Sequence, residues 1–112
     1  MGIDRCDVID GLGISKADGK VVLSIADHRP WDDAGSHFSL IERKVRAYLA
    51  FIASGQLIEE LPVARGKAFR IELIHRHAPS AAAEKFLSAI QTQLRSTGIE
   101  FIAMSLPNGL TN

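Results

Sequence analysis

Apolar and polar residues alternate through "KVVLSIADH", residues 20–28, with Val21, Leu23 and Ile25 on one side and Val22, Ser24 and Ala26 on the other. A period of two predicts a β-strand. The preceding run, "DVIDGLGIS", is also rich in strand formers, and the intervening "KADG" ends in Gly19, which suits a turn needing positive φ. The two runs predict a hairpin. The period then changes. Phe38, Ile41, Val45, Tyr48 and Ile52 recur at intervals of three and four, the signature of a helix with one apolar side, from about Asp33 to Ser54. Asp33 is the first candidate for its N-cap and Ser36 the second, while Gly55 fits the residue after its end. Glu42, Arg43 and Arg46 make its solvated side.

Residues 56–66, "QLIEELPVARG", leave three readings open: a loop, a short extra strand, or a helical continuation broken before Pro62. Alternation returns in "KAFRIELIHRH", where Phe69, Ile71 and Leu73 oppose Arg70, Glu72 and Ile74. A second helix begins at Pro79–Ser80, presents Ala83, Phe86, Leu87, Ile90 and Leu94, and stops at Gly98. "IEFIAMSL" is the last strand, and the tail "PNGLTN" is expected to fray.

The order is ββαβαβ. Crossovers between parallel strands are right-handed, so two helices on one face require both steps to run the same way across the sheet. The expectation is an α+β two-layer sandwich: a four-stranded mixed sheet in order 1-2-3-4, first strand antiparallel at an edge, two helices on one face. If "QLIEEL" instead paired with the next run as a hairpin, the third strand would be reversed.

With 112 residues the chain reads as a single domain with an ordered core of about residues 7–106. Thirteen Lys+Arg balance thirteen Asp+Glu, which makes nucleic acid an unlikely partner, since its binding needs a net positive field. The lone Cys6 forms no intramolecular disulfide and fits a reducing compartment. The N-terminus "MGIDRCDVID" lacks the apolar core of a signal peptide, and no apolar run approaches the length of a membrane span. These features place the protein in the cytoplasm, away from membranes, with no cofactor implied.

"DVIDGLGIS…GKVVLSIADHRPWDD" followed by "RAYLAFIASGQL" resembles a family of small bacterial proteins classed as a domain of unknown function. The shared features are an Asp-Val-Ile-Asp start, a strand ending in Asp-His, a Trp-Asp pair, and a helix carrying Tyr-Leu-Ala-Phe-Ile-x-Ser-Gly. The resemblance covers roughly residues 7–98. It implies a bacterial, cytoplasmic protein and brings no catalytic residue, activity or cofactor to any position.

The chemistry-bearing residues gather after the second strand and after the third. With those strands parallel, Asp27 and His28 end one and His75 and His77 end the other on the same edge of the sheet, where open α/β sheets hold ligands. Alternation puts Asp27 and His75 on the helix side as neighbours, and His37 lies in the first turn of the first helix. Asp27, His28, His37, His75 and His77 are thus the ligand or metal candidates. Imidazole and carboxylate suit zinc, iron or nickel, a carboxylate can orient a histidine as general base, and two helix N-termini can hold an anion. Against these stand the lack of a zinc-type spacing, of a nucleophile and of a glycine-rich phosphate loop. The structural alternative is that Asp27, Asp32 and Asp33 complement the helix N-terminus, worth about 0.3–1 kcal/mol each, while Trp31 plugs the corner with its N–H satisfied.

The sheet face without helices would carry Ile74, Ile102 and Met104 beside Arg70 and Glu72. That mixture is too polar for a buried layer and somewhat apolar for open solvent, so these three apolar residues are candidates for a partner face, on a homo-oligomer or against a protein partner. RNA is disfavoured there, because the face lacks aromatic residues on which bases stack. The leading expectation is a protein-interaction module; the competing one is a small-ligand or metal-dependent enzyme at the strand ends.

Overall fold

A computed structural model describes residues 2–106. The elements are β1 (Gly11–Ile14), β2 (Val21–Asp27), α1 (Ala34–Ala53), α2 (Gln56–Glu60), β3 (Phe69–His75), α3 (Ala81–Arg95) and β4 (Glu100–Ser105), with one 3-10 turn over Pro62–Ala64. The sheet order is β1-β2-β3-β4. β1 is antiparallel to β2, whereas β3 and β4 continue parallel to it. This is the expected α+β two-layer sandwich with a mixed sheet, plus a third, short helix that the pattern left open. The tail at residues 107–112 lies outside the described residues.

Residues 56–66 form α2 and the 3-10 turn, not a strand. Leu57 at 0% exposure and Ala64 at 0% anchor this segment in the core, and Gly55, at φ 84°, makes the sharp change of direction after α1. A left-handed residue there ends one helix and starts the next. β3 therefore keeps its parallel direction, and Asp27 lies in register with His75.

The core sits between the helices and one sheet face. Val21, Leu23, Ile25, Ile71, Leu73 and Phe101 from the strands meet Ile41, Val45, Tyr48, Leu87, Ile90 and Leu94 from the helices. Fully burying an aliphatic side chain contributes about 1.5–3 kcal/mol, so this layer dominates the stability. Ile3 is also buried in it; the core thus starts earlier than the expected residue 7.

The buried stripe of α1 is Ile41, Lys44, Val45, Tyr48 and Phe51, with Phe38 and Ile52 half-buried beside it. Phe38 instead stacks on Phe86 of α3 at 4.1 Å between ring centroids, joining the two long helices.

The open face reads across the strands in three rows. Gly13, Val22, Arg70 and Glu100 are in register, then Gly11, Ser24, Glu72 and Ile102, then Ala26, Ile74 and Met104. The first row is ionic: Arg70 binds Asp18 at 2.6 Å and Glu72 at 2.9 Å, and Lys20 binds Glu100 at 3.0 Å. The third row is apolar. The face is therefore graded along the strands.

Candidate functional site

β2 ends at Asp27 on the helix side of the sheet, and the chain turns through Trp31 to enter α1. Asp33 occupies the N-cap position but makes no side-chain cap bond. The carboxylate that engages the helix start is Asp27. It accepts from the backbone N–H of Arg29 at 3.2 Å and from His37 Nε2 at 2.6 Å. A carboxylate only accepts, so His37 carries its proton on Nε2. Both side chains are buried, at 0% and 1% exposure. Hydrogen bonds to charged groups contribute about 1.5–3 kcal/mol, and this one ties the first turn of α1 to the end of β2.

Trp31 covers the pair. Its ring stacks on His37 at 4.0 Å, meets His75 edge-on at 6.5 Å, and donates its indole N–H to the His77 carbonyl at 2.8 Å. The expected plug is present with its polar atom satisfied. The two strand ends are also joined by the backbone, Arg76 N–H donating to the Asp27 carbonyl at 2.9 Å.

Of the five ligand candidates, three come together: Asp27, His37 and His75. His28 points away, toward Asp4 at 3.3 Å and into solvent. His77 is exposed and contributes its carbonyl. Among the described residues no group of three His, Cys, Asp or Glu side chains is placed to hold a metal ion. The Nδ1 atoms of His37 and His75 are buried without a hydrogen-bond partner. Chemically, a carboxylate–imidazole pair buried under an indole ties the start of a helix to the end of a strand.

A second polar cluster was hidden from the sequence reading. Lys44, at 0% exposure, donates to the carbonyls of Gly2, Arg5 and Val8 and to Asp10 Oδ1 at 3.0 Å. Asp10 in turn accepts from Gly2 N–H and from Ala26 N–H, each at 2.9 Å. Tyr48 donates to the Ser24 carbonyl at 2.6 Å and accepts from Asp10 N–H at 2.8 Å; burial holds its phenol proton well above the usual range. Ile3 N–H donates to the Ala26 carbonyl at 2.9 Å. Beyond the end of β1, then, the free edge of β2 is closed by Asp10 and Ile3. Gly2 is required at its place: a Cβ there would lie 3.2 Å from the Ala26 carbonyl oxygen, at φ 91°. The available signal was the spacing of Lys44, three residues after Ile41 and four before Tyr48, on the apolar stripe.

On the far edge a groove of about 480 Å³ runs between α3 and β4, bounded by residues that include His75, Glu84, Ser88, Gln91 and Phe101–Ala103. Gln91 Nε2 donates to the Phe101 carbonyl at 3.1 Å. No helix among the described residues is long and apolar enough to cross a membrane.

No curated protein and no solved structure matches the chain. A family model does, described as a family of unknown function (DUF6572), and its match extends over residues 1–106. With that coverage, the chain belongs to the DUF6572 family.

Proposed function

We propose that the protein is a non-enzymatic interaction module of the bacterial cytoplasm that acts as a homodimer, its second copy adjoining the apolar end of the open sheet face where β4 brings Ile102 and Met104 to the sheet margin. The observation that carries this reading is the row Ala26, Ile74 and Met104 with Ile102 beside it, on a face that no helix among the described residues covers. Apolar residues grouped on an open face favour association over solvent. The ionic row at the other end keeps the rest of the face soluble. Light scattering across concentrations of about 1–500 µM, the range of a small interface, is expected to show twice the mass of one chain, and Ile102→Lys to return it to one. A strict monomer throughout, with no partner captured, overturns the proposal.

A second reading is carried by the two buried, unpartnered imidazole nitrogens of His37 and His75: a small ligand or metal ion held at the ends of β2 and β3. The two readings separate on Asp27→Ala. A structural lock predicts a loss of about 3–5 kcal/mol, as when a buried charged pair loses one partner, measured by urea unfolding. An unchanged midpoint, with zinc, nickel or phosphate shifts of the histidine ring signals abolished, favours the ligand.

A further inference from the structure

We propose that two copies pair edge to edge through β4, antiparallel, with Ile102 on the two-fold axis, so that one sheet continues through both. This rests on the homodimer reading and names its surface.

Among the described residues β4 is the outer strand of the sheet with no neighbour on its far side, six residues long. The N–H and C=O of one strand residue point to the same side, and those of the next point to the other. Leu106 N–H bonds inward to His75, whereas the Phe101 carbonyl faces outward to Gln91. Phe101, Ala103 and Ser105 therefore present their backbone groups to the outside. Native edges are commonly blunted by lysine, proline or bulges; after the Glu100 that opens β4, "FIAMS" contains no charge and no proline.

The occupant follows from self-complementarity. With Ile102 on the axis, it packs on its own copy, Phe101 pairs through the backbone with Ala103 of the partner, and Glu100 stands opposite Met104, not another Glu100. Neighbouring groups on α3 point to the same axis. Glu84, Ser88, Gln91 and Arg95, spaced four, three and four apart, border the grooves beside β4. Gln91 lies level with Phe101. One strand residue, about 3.3 Å, equals about two helix residues at 1.5 Å, so Ile102 lies level with residue 89. That is close to the midpoint of Glu84 and Arg95. The same two-fold thus sets Glu84 against Arg95 of the other copy, and Ser88 against Gln91, twice per dimer. An isologous interface needs this match of a surface to itself.

The test is sedimentation equilibrium on the full chain and three variants. Ala103→Pro removes an outward N–H without touching the bonds to β3, and circular dichroism checks that it folds. It should weaken the dimer about thirtyfold or more, two intermolecular hydrogen bonds being lost by symmetry. Glu84→Arg should weaken it about tenfold, and adding Arg95→Glu should restore it. A dimer that survives Ala103→Pro unchanged, or is indifferent to the charge swap, overturns edge pairing while leaving the homodimer reading in place. A wild-type monomer overturns both. If Ala103→Pro does not fold, the charge swap alone decides.

Discussion

Lys44 shows how a charge can belong to a core. Its stem lies on the apolar stripe of α1, and its three ammonium protons are shared among three carbonyls and one carboxylate. Breaking a buried ion pair costs about 3–5 kcal/mol because the surviving charge stays uncompensated. Lys44→Met is expected to lower the unfolding free energy by that amount in urea titrations, and to loosen residues 2–10 in hydrogen exchange. This knot could not be read from composition, since a lysine three residues from Ile41 looks like any solvated helix position until its acceptors are known. Those acceptors are mostly backbone, and they are made only by the folded N-terminal segment. Asp27 and His75, in contrast, were legible as neighbours from strand alternation. Their partner His37 was legible only as lying nearby; the stacking of Trp31, which seals the pair, depends on the path of a loop.

At the level of elements, strong periodicity gave reliable boundaries. β2, β3 and both long helices lie where their repeats place them, because each has one face that must be buried. The segment 56–66 resisted because its apolar residues, Leu57, Ile58 and Leu61, fit one helical turn as well as a short strand. What settles it is Gly55. At φ 84° it turns the chain back so that Leu57 enters the core. Gly55→Ala should cost about 1–2 kcal/mol, the penalty of a Cβ in the left-handed region, seen as a lower urea midpoint with an unchanged slope. An undiminished midpoint would mean that the turn tolerates another geometry.

Across the whole molecule, the graded sheet face makes stability depend on acid. The hydrogen bond from Arg70 pulls the Asp18 carboxyl down to about 2, and Lys20 holds Glu100 below its ordinary value. Both groups bind protons less readily when folded than when unfolded, so protonation favours the unfolded chain. The Asp18 contribution is complete above the unfolded aspartate value of about 3.9 and disappears as pH falls toward about 2; that of Glu100 begins to fall at the higher unfolded glutamate value of about 4.3. Thermal melts should therefore decline across that interval, and Asp18→Asn should flatten the decline. A variant as acid-sensitive as the parent would assign the decline to other carboxyls.

The knot at Lys44 also bears on how far such a sheet can grow. Asp10 and Ile3 occupy the hydrogen-bonding groups of Ala26 beyond the end of β1, and β1 itself offers four residues, two of them glycine. That margin is a poor template for another strand. If copies pair through β4 as proposed, a molecule with one receptive margin and one poor one among its described residues joins a second copy without extending into a fibre. On that proposal, opening the knot, as Lys44→Met would, is expected to cost more than stability: it frees the Ala26 groups beyond β1 and gives a pair that would otherwise stop at two a second place to add a copy.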